Sequence, residues 1–191
     1  ERFAGLRTSA SLLSARLRTM LTEVFVGLGS NIDPESHLNA AVHAIRGRFT
    51  LLGISPVYRS AAVGFKGDEF LNMIIRLRCS ASPSKLEQFF SEVEKACDRR
   101  RGAHSEDVGA IGSRTLDLDL LLYGSVVDPE LRLPRSDVLR YAFVLRPLKD
   151  LAPDLVHPVT GRPIGVEWDA VAAKSPSMEP QELFMSGGSK P

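Results

Sequence analysis

Hydrophobic and polar positions change period several times along the chain, and each change marks an element. Glu23-Val24-Phe25-Val26-Gly27-Leu28 is a short apolar run ending in Gly29-Ser30-Asn31, a turn signal, and predicts a strand. Asp33-Pro34-Glu35 predicts a helix start, with Asp33 as N-cap and Pro34 at the first helical position. Leu38, Ala41, Val42 and Ile45 follow at helical spacing. Residues 54–60 read as a strand. So do residues 72–78, where Met73, Ile75 and Leu77 alternate with Ile74, Arg76 and Arg78. Pro83 and Ser84 open a second amphipathic helix with Leu86, Phe89, Phe90, Val93, Ala96 and Cys97 along one side, and it ends in Asp98-Arg99-Arg100-Arg101-Gly102. Residues 102–113 read as a glycine-bearing loop, 114–123 as the strongest strand of the chain, and 136–141 and 144–151 as short helices. From 175 to 191 Pro, Gly and Ser occur without periodicity, which predicts a disordered tail. Strands and helices alternate, but several strand links are too short for crossover helices. The expected fold class is therefore α+β, a sandwich on a mainly antiparallel sheet.

Composition narrows the function classes. A chain of 191 residues, 43% hydrophobic and 25% charged, can bury one core and is neither wholly disordered nor a coiled coil. No apolar run approaches the roughly 18 residues of a membrane span. The net charge of +1 hides an asymmetry: residues 1–20 hold four arginines (Arg2, Arg7, Arg16, Arg18) against Glu1. The rest carries 20 basic and 22 acidic groups, a balance of −2 with no cation excess to neutralise nucleic-acid phosphates. The first twenty residues, rich in Arg and Ser, are composed like an organelle transit peptide, yet Met20 stands immediately before the first strand. They are read as an extension outside the fold, leaving 21–174 as the domain. Cys79 and Cys97 are too few for a disulfide scaffold or zinc site and read as reduced structural thiols in a cytosol-like compartment.

The sharpest chemical feature is Arg114-Thr115-Leu116-Asp117-Leu118-Asp119-Leu120-Leu121-Leu122-Tyr123. Side chains alternate across a strand, so Asp117 and Asp119 share a face, their Cα atoms about 7 Å apart, while Leu116, Leu118 and Leu120 take the other. Two carboxylates so placed suit a pair of magnesium ions that also bind phosphate oxygens; a half-exposed edge strand with a solvated acidic face is the alternative. Arg99, Arg100, Arg101 and Arg114 suit phosphate oxygens, although a cationic helix end complementing its dipole accounts for one or two of them. The dozen-residue loop between them has the length of a lid. Phe70, Phe143 and Asn72 have the chemistry to hold a planar heterocycle, and equally that of core and turn residues. No GxxxxGK[ST] occurs, Gly27-Leu28-Gly29-Ser30-Asn31 lacks the third glycine of a dinucleotide fingerprint, and the four histidines show no ligand spacing.

Taken together, GLGSN at 27–31, VYRSAAVGF at 57–65, FLN at 70–72, GSRTLDLDLLLYG at 112–124 and AFVLRPLKDLAPDLVHP at 142–158 resemble the 6-hydroxymethyl-7,8-dihydropterin pyrophosphokinase family of folate biosynthesis. The resemblance runs from about Val24 to Pro158. It implies a three-layered αβα sandwich around an antiparallel, ferredoxin-like sheet, and transfer of pyrophosphate from ATP to the pterin hydroxymethyl group with release of AMP. It further implies that Asp117 and Asp119 hold two Mg²⁺ against the triphosphate, with Arg99 and Arg114 as catalytic neutralisers of phosphate charge. Glu94, Arg101, Arg114, Arg135 and Arg140 fall at the ATP site. Phe70 and Phe143 would sandwich the pterin, Asn72 would bond its edge, and Ser60, Ala61 and Val63 would complete the pocket. The partners so implied are ATP and a dihydropterin, with no nucleic acid or membrane, and the expected form is a cytoplasmic monomer. The chain departs from the family pattern at Arg135 (commonly His), Tyr141 (usually Arg), Ser113 (usually Pro) and in a longer lid. These departures leave open the same transfer to another pterin-like alcohol. A non-catalytic ferredoxin-like module for RNA is the remaining reading.

Overall fold

The computed structural model describes residues 21–62, 68–102, 115–175, 178 and 180–181, with the side chains of 99–102 left aside. Its elements run β1 (Thr22–Ser30), α1 (Pro34–Arg48), β2 (Thr50–Ile54), β3 (Val57–Ser60), β4 (Phe70–Cys79), α2 (Pro83–Gly102), β5 (Asp117–Tyr123), α3 (Asp137–Arg140), α4 (Ala142–Leu151), α5 (Ile164–Val171) and β6 (Pro180–Gln181). The strands pair antiparallel in the order β5-β1-β4-β3-β6, and β2 also pairs with β4.

The period-2 pattern of β4 divides two cores. Met73, Ile75 and Leu77 pack with Leu38, Ile45, Leu86 and Phe90 of α1 and α2 on one face. Ile74 and Phe25 pack with Val144, Leu148, Ile164 and Trp168 of α4 and α5 on the other. Each fully buried Leu, Ile or Phe contributes about 1.5–3 kcal/mol, so each helix layer is held by several such anchors. The result is the expected αβα sandwich. Helices cover both sheet faces, so no open aromatic face of the kind that stacks RNA bases is presented by the described strands.

Three expectations need correction. Residues 54–60 are not one strand: Pro56 has no N–H to give to a ladder, and β2 and β3 follow β4 separately around Ser55–Pro56. Asp33 occupies the N-cap position of α1, but in the left-handed region (φ 41°) and with no side-chain cap bond. Pro180–Gln181, expected in a structureless tail, pairs with β3, and α5 was not anticipated at all. The expected extension 1–20 lies outside the described residues.

A polar clamp seats α4 on the sheet. Tyr58 of β3 donates its hydroxyl to Asp150 Oδ2, which also accepts from Arg146 Nε at 3.0 Å. The Arg146 guanidinium lies 5.4 Å from the centroids of both Tyr58 and Trp168. Burial alone would raise the Asp150 carboxyl, but the bonds from Tyr58 and Arg146 outweigh it and hold it below the usual carboxylate range.

The turn into α5 is organised by buried His157. Its Nδ1 accepts the backbone N–H groups of Val159 and Thr160 at 3.4 Å, and burial depresses its pKa, opposed by the charge of Glu167. A depressed folded-state pKa means that stability is complete above the unfolded value near 6.5 and is lost as pH falls through the folded value. Thermal melts should therefore show Tm falling between pH 7.5 and 5.5, by a few degrees if about 1 kcal/mol is involved. His157→Asn keeps an acceptor without titrating and should flatten that slope; an unchanged slope removes His157 as its source. Loss of the Asp150 contribution belongs to a separate window, below about pH 4.

Candidate functional site

The site grows out of the strand register. Gly29 of β1 faces Asn72 of β4 on one side and Asp117 of β5 on the other, and Gly27 faces Ile74 and Asp119 in the same way. Paired residues in an antiparallel sheet point to one face, so two rows of three stand parallel on neighbouring strands about 4.8 Å apart. Glycine in the middle of each row leaves a hollow between flanking side chains. A Cβ on Gly29 would stand 3.3 Å from Asn72 Oδ1, and one on Gly27 3.3 Å from Leu121 Cδ1. Gly27-x-Gly29 is thus the floor of a cleft, a role consistent with two glycines at strand spacing.

The cleft has a volume of about 280 Å³, near the lower end for small-molecule sites. Asn72, Asp117, Asp119, Phe70 and Phe143 line it together with Ser60 and Ala61. Asn72, 8% exposed, donates from Nδ2 to Ser60 Oγ at 2.9 Å, which fixes its amide. Ser60 pairs with Phe70 across β3 and β4, so the two walls of this end are set by one hydrogen-bonded register. Phe143 enters from the first turn of α4, and behind it Tyr141 stacks at 5.0 Å and 16°, in turn covered by the Arg140 guanidinium at 5.2 Å.

Asp117 and Asp119 share the cleft face while Leu118 and Leu120 enter the core beneath α1 and α2, as alternation predicts. The run Leu120-Leu121-Leu122 is accommodated by a bulge: Val26 pairs with Leu120 and Phe25 with Leu122, so Leu121 has no opposite residue. Leu121 and Leu122 then both join the second core. Arg135 Nη2 lies 2.8 Å from Asp119 Oδ1, bringing a sequence-predicted cation to the acidic pair. Among the described residues no group of three or more His, Cys, Asp or Glu side chains is placed to hold a metal ion.

The other expected site residues divide. Glu94 Oε1 accepts the N–H of Leu118 at 2.7 Å, satisfying the outer edge of β5, and does not line the cleft. Arg140 likewise stands behind the Tyr141–Phe143 stack rather than in the cleft wall. Arg99 and Arg101 lie in the last turn of α2, but their side chains, and all of Val63 and Arg114, lie outside the described residues. Sequence reasoning did not assign Gly27, Gly29, Met73, Ile74, Leu121 or Val144 to the lining. Only the spaced glycines carried a signal in the sequence, because the others are ordinary core residues until the strands are paired.

A ferredoxin-like sheet covered by helices on both faces, with an apolar slot running into paired carboxylates, defines a small-molecule-binding α+β domain. Residues 25–153 match the family model described as 7,8-dihydro-6-hydroxymethylpterin-pyrophosphokinase, and the chain belongs to that family. Relatives named 2-amino-4-hydroxy-6-hydroxymethyldihydropteridine pyrophosphokinase include one from Synechocystis sp., 34% identical over 178 residues (85% of this chain, 88% of the relative). Another, from Pseudomonas aeruginosa, is 36% identical over 146 residues, covering 73% of this chain and 86% of its own. The solved HPPK-DHPS of Plasmodium falciparum superposes with a TM-score of 0.64 at 9% identity, over 81% of this chain and 45% of that one, a likeness of fold. This chain thus spans less than half of the malarial protein.

Proposed function

We propose that this protein transfers pyrophosphate from ATP to the hydroxymethyl group of 6-hydroxymethyl-7,8-dihydropterin and releases AMP, a step of folate biosynthesis. The observation that carries this reading is the row Asn72–Gly29–Asp117, which sets an amide, a flat glycine floor and a carboxylate side by side across three strands. A planar pterin laid between Phe70 and Phe143 would present its edge to Asn72 and its substituent toward Asp117 and Asp119. Nδ2 of Asn72 is engaged by Ser60, so Oδ1 is the atom suited to accept from ring N–H groups.

The acidic end explains the second substrate. Carboxylates facing a triphosphate repel it, by about 4 kcal/mol per unit-charge pair at 4 Å and an effective dielectric of 20. A cation must therefore stand between. Asp117 and Asp119 fit Mg²⁺, which takes one or two carboxylates and completes its octahedron with phosphate oxygens and water, and two ions are proposed here. Bound there, Mg²⁺ supplies charge neutralisation for the phosphoryl oxygens. The chain's own part is positional: the slot orients the alcohol, the α4 roof excludes water, and Arg99, Arg101 and Arg114 are proposed to meet charge spreading over the phosphate oxygens. A cytoplasmic monomer is proposed; the free, buried Cys79 and Cys97 accord with a reducing compartment.

Incubation with ATP, Mg²⁺ and 6-hydroxymethyl-7,8-dihydropterin should yield AMP and the pterin diphosphate in equal amounts. Production of ADP, or no turnover with this pterin, overturns the reading.

A further inference from the structure

The acidic end of the cleft holds an ion-pair chain that pyrophosphate transfer by itself does not require. Arg135 reaches Asp119 Oδ1 with Nη2 at 2.8 Å and donates from Nε to Asp137 Oδ2 at 3.0 Å. Its backbone N–H donates to Leu121 O at 2.9 Å, so its main chain is tied to β5 two residues beyond Asp119. The guanidinium is thus stretched between a carboxylate of the cleft and one in the first turn of α3 that does not line it. Both pairs are about one-third exposed.

We propose that Arg135 is a tethered counter-cation for Asp119, which competes with divalent metal in the nucleotide-free protein and yields the carboxylate when nucleotide arrives. This rests on the reading of Asp119 as a metal ligand. A guanidinium keeps its charge at any working pH, so it cannot make way by losing a proton. It can only move. Its guanidinium stands against the carboxylate oxygen a divalent cation would take, and the two positive charges repel across a few ångströms. Leaving Asp119 costs little, because a part-exposed ion pair is weak and the Nε bond to Asp137 remains. Nucleotide phosphates supply the anion that draws the guanidinium away. Metal and nucleotide therefore bind cooperatively, each raising the other's affinity by the same factor.

Mn²⁺ binding to nucleotide-free protein, read from the EPR signal of the free ion, tests this directly. Arg135→Ala should tighten Mn²⁺ binding by about fivefold (about 1 kcal/mol), and Arg135→Lys, which keeps the charge, should stay within about twofold of wild type. Binding of a non-hydrolysable ATP analogue, measured by calorimetry with and without Mn²⁺, should show a correspondingly smaller metal effect in Arg135→Ala. The tightening should vanish in the double variant Arg135→Ala/Asp119→Asn. If Arg135→Ala binds Mn²⁺ no tighter than wild type, while Asp119→Asn still weakens Mn²⁺ binding in the analogue complex, the counter-cation role fails and the metal reading survives. If Asp119→Asn changes Mn²⁺ binding in neither state, the metal reading fails and this inference with it.

Discussion

Asp117→Asn and Asp119→Asn are each expected to lower kcat/KM for AMP formation by on the order of 10³-fold or more, about 4 kcal/mol of transition-state stabilisation. Asparagine keeps the size and one acceptor oxygen but carries no charge, so it neither attracts a divalent cation nor balances one. The phosphoryl transition state disperses negative charge over its equatorial oxygens, and a site deprived of its cations has nothing equivalent to offer. Stability should hardly change, because both carboxylates stand at a cleft rather than in the core and their backbones stay in β5. Assays of AMP release alongside thermal melts separate the two effects. A variant that keeps activity within tenfold of wild type excludes its carboxylate from the proposed metal site.

Phe143→Ala is expected to raise KM for the pterin by about 30–100-fold, while KM for ATP moves less than about threefold. The ring supplies one wall of the slot and is itself braced by Tyr141 at 5.0 Å. Removing it forfeits stacking and buried contact of about 2–3 kcal/mol, and 1.4 kcal/mol corresponds to tenfold. Tyr141 cannot substitute, because it stands behind Phe143 in the stack, held there by Arg140. The split between the two KM values is the informative readout. Equal rises for both substrates would point to a displaced α4 and not to a lost pterin contact.

How much of this was legible beforehand depended on how local the cause was. Alternation in Met73–Arg78 and in Asp117–Leu120 follows from covalent geometry, and both patterns face as the sequence implies. Pro34 opens α1 and Pro83 opens α2 because a fixed φ and a missing N–H suit a first helical turn. The break at Pro56 has the same origin, and the apolar run around it concealed it. By contrast Glu94 carries an ordinary helix-face signature, and its bond to the Leu118 N–H exists only once α2 lies along the edge of β5. Helix α5 gives little local signal because its few apolar anchors, Ile164 and Trp168, find their surface in the core shared with α4 and the sheet.

The sequence by itself determined where β1, α1, β4, α2 and β5 lie, which strand residues share a face, and the presence of two acids two positions apart. Those follow from bond geometry and from side-chain period, which act within a few residues. Tertiary structure alone decided that Gly29 separates Asn72 from Asp117, that a bulge turns Leu121 and Leu122 into one core, and that Arg135 rests on Asp119. The first two depend on register between segments about 40 to 100 residues apart, where packing of both sheet faces, and not local preference, selects one alignment from many; the third depends on the chain folding back after β5, where the Arg135 N–H meets Leu121 O.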